Sequence, residues 1–136
     1  MFEHKTQKRV RYGETDQMGF LYYGHYAMYY EIGRAEALRS LGYTYRALEN
    51  SGIMMPVIEF KTKYIRPARY DDLITIVTTL KELPHENRIV FYTELYNESK
   101  ELLNFGETKL AFINSGNRKT CEIPDFLLDL FKPYFN

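Results

Sequence analysis

The chain has no tryptophan, a single cysteine and only three histidines, His4, His25 and His85. Each scarcity excludes something. One thiol, Cys121, cannot close a disulfide within the chain, so no disulfide framework supports the fold. No histidine lies near Cys121 in a nucleophile pattern, and it reads as a small hydrophobe. The three histidines are far apart, and with one cysteine they form no metal-ligand spacing, so no metal is expected. An excess of one charge is also missing. Lys plus Arg number 18 and Asp plus Glu number 18. Nucleic-acid binders usually carry a basic excess on one face, so no nucleic-acid partner is expected. The N-terminal nine residues hold no apolar run and no small-residue cleavage site, which argues against a signal peptide. No window is apolar for long enough to span a bilayer, so no membrane insertion is expected and cytoplasmic localisation is the default.

What is present fits one domain over residues 1–136, long enough for one core and too short for a two-domain cofactor enzyme. Aromatic residues make up 16%, with 13 Tyr and 9 Phe. Tyrosine joins an apolar ring to a polar tip and suits strands first and interfaces second.

The pattern along the chain predicts a first strand over Thr6–Tyr12, then a loop over Gly13–Gly24 punctuated by Gly13, Gly19 and Gly24. A helix follows over His25–Leu41, with Tyr26, Tyr30, Gly33, Ala37 and Leu41 on one face. Gly33 and Ala37 allow close approach to a sheet, and Gly42 reads as the C-terminal cap. Glu31, Arg34, Glu36 and Arg39 fall elsewhere on this helix, and the acids are expected to pair with Arg34 or Arg39. Thr44 caps a short helix running to Asn50. Strands follow. Ile58, Phe60, Thr62 and Tyr64 share one face of the first, which Arg66-Pro67-Ala68 ends. Further strands are predicted over Leu73–Leu83, Arg88–Tyr96, Glu101–Asn114 and, briefly, Arg118–Glu122. Gly106 marks a bulge or a close contact in the long one. Pro124 opens a terminal helix carrying Phe126, Leu127, Leu130 and Phe131. One dominant helix and a run of strands joined by tight turns make an α+β protein with an antiparallel sheet.

The segment Tyr12-Gly13-Glu14-Thr15-Asp16-Gln17-Met18-Gly19-Phe20-Leu21-Tyr22-Tyr23-Gly24-His25-Tyr26 carries the chemistry. It sets Asp16 in a loop just before the long helix, whose first amides and dipole can polarise a carbonyl. An acid beside such amides suits thioester hydrolysis, with the carboxylate attacking the carbonyl or orienting a water. By itself, an Asp before a helix is more often a turn or cap residue.

The same segment resembles the active-site loop of the 4-hydroxybenzoyl-CoA thioesterase-like family, in particular its YbgC-type branch. Asp16, Gly19, Phe20-Leu21, Tyr22, Tyr23, Gly24 and Tyr26 fill the family pattern. Tyr29 to Arg39 is similar to the family's central helix, and Tyr64-Ile65-Arg66-Pro67-Ala68-Arg69-Tyr70-Asp71-Asp72 to its strand-to-loop segment. The resemblance implies a hot-dog fold, an antiparallel sheet wrapped around one long helix. It implies self-association as a homodimer or homotetramer, with sites at the subunit interface. It also implies hydrolysis of an acyl-CoA substrate without metal or organic cofactor. Asp16 matches the catalytic carboxylate, and the Tyr23 backbone N–H matches the group that polarises the carbonyl. Many YbgC-type members carry His at the position of Tyr23, and the usual Asn is His25 here. His25 either touches the acid loop or substrate, or serves as a structural contact. Gly19 and Tyr22 fall within the matched loop as substrate-binding candidates. Arg66 and Arg69, then Arg88 and Arg118, are candidates for the CoA phosphates. The alternatives are an acyl-carrier-protein thioesterase, expected to show a basic surface patch, and a non-catalytic acyl-CoA binding or scaffold protein.

Overall fold

The structure, a computed structural model, describes residues 1–136. Its order is β1 (Phe2–Arg9), α1 (Tyr26–Ser40), α2 (Tyr45–Asn50), β2 (Ile53–Met54), β3 (Val57–Tyr64), β4 (Leu73–Leu80), β5 (Arg88–Tyr96), β6 (Leu102–Ala111), β7 (Ile113–Asn114) and α3 (Asp125–Phe131). Five strands form one antiparallel sheet in the order β1-β4-β5-β6-β3, and β2 and β7 make a separate two-residue ribbon. α1 lies on this sheet over β1, β4 and β5. This is the wrapped-helix arrangement expected of a hot-dog fold.

Two glycines set how closely the layers approach. A Cβ on Gly33 would lie 2.5 Å from Thr78 Oγ1 and 2.6 Å from an Ile76 methyl. The helix therefore rests directly on β4, and this packing offsets the roughly 1 kcal/mol that a mid-helix glycine costs. A Cβ on Gly106 would lie 2.0 Å from the Lys61 carbonyl oxygen and 2.8 Å from the Tyr30 hydroxyl. Pairing is regular through Gly106, opposite Thr62 on one side and Thr93 on the other. Of its two expected roles, the close contact is the one found. The register shifts fall elsewhere, at Val57/Glu59 and at Leu95/Tyr96.

The caps follow the sequence. Gly42 has φ +87°, and Thr44 Oγ1 accepts the Ala47 amide at 3.0 Å. The edges of elements differ from expectation in three places. The first strand is Phe2–Arg9, not Thr6–Tyr12, because Val10 leaves the ladder to bond Asp72 and a single 3-10 turn forms at Tyr12–Glu14. The β4 strand stops at Leu80. No strand forms over Arg118–Glu122. Asn114 Oδ1 accepts the amides of Gly116 and Asn117, and the chain then meets β7 only at Thr120. Beyond it, the amides of Cys121 and Ile123 reach two different partners, Phe112 and Glu86, so no ladder propagates.

The core has two halves. One, of Phe2, Leu38, Leu48, Leu80, Ile89, Phe91, Leu110, Phe112, Leu127 and Phe131 among others, is closed by α2 and α3. The other gathers Val10, Leu21, Tyr26, Tyr29, Tyr30, Ala68, Ile74, Ile76, Leu95 and Leu103 under the Asp16 loop.

Candidate active site

The loop between β1 and α1 is pinned along its length to the segment before β4. Val10 and Asp71–Asp72 exchange backbone bonds, the Leu21 amide donates to Ala68 O at 2.8 Å, and the Tyr70 amide donates to Gly19 O at 3.0 Å. Within the loop, the Asp16 amide donates to Phe20 O at 2.8 Å and the Gly19 amide to Asp16 O at 3.0 Å. Gly19 takes φ +79°, the left-handed conformation such a tight turn requires. Asp16 Oδ1 accepts the amides of Met18 at 2.9 Å and Phe20 at 3.2 Å. Its orientation is thus fixed through one oxygen, and Oδ2 forms no hydrogen bond in the chain.

Asp16 stands in the wall between two clefts. One, of about 360 Å³, is mostly apolar and includes Met18, Phe20, Tyr23, Tyr26, Tyr64 and Ile65, with Arg66 among its residues. The other, of about 800 Å³, is bordered by Tyr12, Gly13, Gln17, Gly19 and Tyr70. A single 3-10 turn at Tyr23–His25 leads into α1. The His25 amide is used by Tyr22 O, whereas the Tyr23 and Gly24 amides have no partner. The Tyr22 ring lies over Gly24, where a Cβ would meet it at 2.6 Å. Tyr22 also stacks against Tyr23 at 4.8 Å and against His25 at 5.7 Å. His25 makes no hydrogen bond through its ring. The Tyr64 hydroxyl donates to Tyr23 O at 3.3 Å, tying the helix start to β3.

A second carboxylate, which sequence reasoning passed over, anchors the loop. Glu14 is two residues from Asp16, and its side chain is only 13% exposed. Its Oε1 accepts Lys8 Nζ at 2.9 Å, the Tyr29 hydroxyl at 2.8 Å and the Arg11 amide at 3.0 Å. Its backbone oxygen accepts the Tyr22 amide. Glu14 therefore joins β1, the loop and α1 at one point. Burial pushes its carboxyl up, but the bonds from Arg11, Lys8 and Tyr29 outweigh burial and hold it below its ordinary value. The same contact, with burial, drives the Tyr29 hydroxyl far above its ordinary value. The only sequence signal for Glu14 was its place in Gly-Glu-Thr-Asp. Its partners come from 6 and 15 residues away.

The structure brings Asp16, Gly19, Tyr22, Tyr23, His25, Arg66 and Arg69 to one end of the sheet. Arg66 sits 3.6 Å from Glu101 in an exposed pair. Arg69 lies over the Phe20 ring at 5.0 Å, and its amide donates to Asp72. Arg88 and Arg118 are at the other end. β4 alone separates the two ends by about 24 Å at strand rise. Arg88 shares a cleft there with Lys81, His85 and Lys109, and Arg118 sits in the turn after β7 with φ +61°. On α1, Glu36 pairs with Arg39 as expected. Glu31 is exposed and pairs with nothing, and Arg34 has no carboxylate partner, against expectation. The reason is burial: Arg34 points inward, away from the exposed acids of its own helix. No three His, Cys, Asp or Glu side chains converge as metal ligands, and no helix is long and apolar enough to cross a membrane.

Comparison with known proteins extends the geometry to nearly the whole chain. The family model described as the thioesterase-like superfamily matches residues 10–131. Acyl-CoA thioester hydrolase YbgC of Escherichia coli O6:H1 is 29% identical over 124 residues, covering 91% of this chain and 92% of that protein. The 1,4-dihydroxy-2-naphthoyl-CoA hydrolase of Thermosynechococcus vestitus is 25% identical over 120 residues, 88% of this chain and 82% of that one. Among solved structures, the DHNA-CoA thioesterase of Staphylococcus aureus superposes with TM-score 0.89 at 30% identity, over 98% of this chain and 89% of that one. A 4-hydroxybenzoyl CoA thioesterase complexed with 4-hydroxybenzoyl CoA superposes with TM-score 0.85 at 19% identity, which speaks for the fold alone. With the Asp16 loop, the open helix start and the wrapped helix in the places this family gives them, the chain belongs to the thioesterase-like superfamily, with the hot-dog fold.

Proposed function

We propose that the protein hydrolyses an acyl-CoA thioester to the free acid and CoA. One observation carries the proposal. Asp16 is oriented through Oδ1 by two amides while Oδ2 stays unpartnered, beside an apolar cleft that also holds the start of α1. The acyl group lies in that cleft, and its carbonyl oxygen takes the unused Tyr23 amide. As the tetrahedral intermediate forms, that donor and the helix dipole stabilise the developing oxyanion. Asp16 acts as nucleophile or as general base. As nucleophile, Oδ2 bonds to the carbonyl carbon, the C–S bond breaks, CoA leaves as thiolate, and water then cleaves the acyl-aspartyl anhydride. As base, Asp16 takes the proton of an attacking water. Glu14 holds the loop in register with α1 and is a positioning residue. The Tyr22 ring covers the helix start, and His25 braces that ring.

The working unit is a homodimer or larger. β3 is an edge strand whose Val57, Ile58, Phe60, Tyr64 and the following Ile65 remain exposed in the single chain. An edge with this much apolar surface is a pairing site, and antiparallel pairing with a second copy is self-complementary. The same pairing offers a route by which the basic cleft around Arg88 could meet CoA phosphates, because Arg88 and Asp16 are too far apart within one chain.

The test is steady-state hydrolysis of a panel of acyl-CoA thioesters, following free thiol, with wild type beside Asp16→Asn. Wild type should turn over at least one acyl class, and folded Asp16→Asn should lose at least about 1,000-fold in kcat. Equal turnover by the variant would remove Asp16 from the reaction. Turnover of carrier-protein thioesters alone would change the substrate.

A further inference from the structure

α1 buries a charge that the hydrolysis of a thioester does not use. Arg34 is 8% exposed, its Nε has no hydrogen-bond partner, and no carboxylate forms an ion pair with it. Glu36, two residues on, is taken by Arg39. A guanidinium removed from water without a counter-charge is strongly unfavourable, and buried charges are normally paired. Something outside the single chain therefore completes Arg34.

Its position indicates what that is. Arg34 lines a cavity of about 370 Å³ beside α2, with Ala35, Tyr45, Met55 and Leu110 supplying apolar wall. The Tyr45 hydroxyl lies next to the guanidinium and offers a second donor. Glu31, Glu49, Arg39 and Arg46 also border the cavity. All four are exposed, so water screens them, and their charges cancel in pairs. Arg34 follows Tyr23 by eleven residues, which is three helical turns and returns to the same face. Ala27 and Glu31 occupy the intervening turns of that stripe. The rise from Tyr26 to Arg34 is about 12 Å. An acyl group whose carbonyl sits at the helix start, and which runs along this stripe, ends at the guanidinium. The planar fork of an arginine matches a carboxylate through two parallel bonds.

We propose that Arg34 selects an acyl group bearing a second carboxylate at its far end, so that the substrate is the CoA half-thioester of a dicarboxylic acid. This rests on the thioesterase reading above, and it names the acyl class. The carboxylate pairs with Arg34 and leaves the chemistry at Asp16 unchanged.

The experiment uses pairs of CoA thioesters matched in carbon number, linear acyl against ω-carboxyacyl, from four to ten carbons. Wild type, Arg34→Met and Arg34→Lys are compared by kcat/KM. At one chain length, wild type should favour the ω-carboxy member at least tenfold. Arg34→Met should abolish that ratio, and Arg34→Lys, which keeps the charge and loses the fork, should reduce it. A wild type indifferent to the second carboxylate at every length overturns the proposal, as does a preference that survives Arg34→Met. A variant that only weakens self-association and keeps the ratio assigns the counter-charge to the second copy, and also overturns it. Binding of the free dicarboxylic acids, followed by NMR line shifts in wild type and Arg34→Lys, separates this idea from the one beneath it. Arg34-dependent binding without hydrolysis of any thioester would sink the thioesterase reading and leave the anion site standing.

Discussion

The half of the core under α2 and α3 and the half under the Asp16 loop are built from different side chains, and the difference follows their tasks. The far half is aliphatic and phenylalanine-rich, with no hydroxyl among its buried members. The near half holds Tyr26, Tyr29 and Tyr30, and their polar ends are put to use. Tyr29 bonds Glu14, and Tyr30 bonds Asn104 and Thr62. Apolar packing is adaptable and tolerates small shifts, whereas a hydrogen bond fixes distance and angle. The far half supplies stability. The near half gives up some apolar burial to hold the loop, helix and β3 at fixed separations. It is also the open half, with Met18, Tyr22, Tyr23, Tyr64 and Ile65 left exposed.

Deleting far-half packing should cost most and matter least to chemistry. Phe112 is fully buried, so Phe112→Ala should lose about 4 kcal/mol of stability, by transfer and cavity together. Denaturant unfolding measures the loss, and kcat of the folded protein at low temperature should stay within twofold of wild type. A parallel fall in kcat would mean that the two halves are not separable.

The converse experiment is Glu14→Gln, which keeps the shape and removes the charge at the near-half junction. Bonds to a charged acceptor are worth about 2 kcal/mol net, so stability should fall by roughly that amount, half the loss at Phe112. Activity should fall far more, by at least tenfold in kcat with little change in KM, because Asp16 is displaced and the acyl cleft is not. The pH dependence gives the sign. Glu14 is held below its ordinary value of 4.5 when folded. Its contribution is therefore complete above the unfolded value and lost as pH falls through the lower, folded value. Wild type should lose this stability on acidification below about pH 4.5, and Glu14→Gln should lack that component. A normal kcat in a destabilised Glu14→Gln would make the clamp purely structural.

What the sequence disclosed and what it hid divide along the same line. Features set by local spacing were legible: the α1 face, the close-packed Gly33, the cap at Gly42, the Thr44 bond to Ala47, and the acid loop ahead of a helix start. Features set by partners distant in sequence were not. Glu14 is one acid among several until Lys8 and Tyr29 are folded against it. Arg34 looked like one more exposed helical charge, because the helical repeat places a residue on a face but does not say that α2 will roof that face. The Arg118–Glu122 strand failed for the opposite reason. Its composition allows a strand, but the Asn114 side chain spends itself on the turn, and the chain leaves the ladder after one bridge.

The smallest expected change in folding should produce a large change in assembly, at the boundary of the open half. The two sheet edges differ. β1 presents Glu3, Lys5, Gln7 and Arg9 to solvent, a charged edge that resists pairing, while β3 presents Val57, Ile58 and Phe60. Ile58 also falls at the register shift, where it has no partner across the ladder to β6. Ile58→Lys should therefore alter the stability of the individual chain by no more than about 0.5 kcal/mol. A lysine there puts like charges face to face when two β3 edges meet, so the dimer should dissociate at concentrations where wild type is associated. Light scattering reads the mass, and thioesterase activity should fall with the dimer fraction and recover at high protein concentration. Lys5→Ala on the opposite edge should change neither. A wild type that is monomeric and fully active would leave the exposed β3 face unexplained and confine the whole active site to one chain.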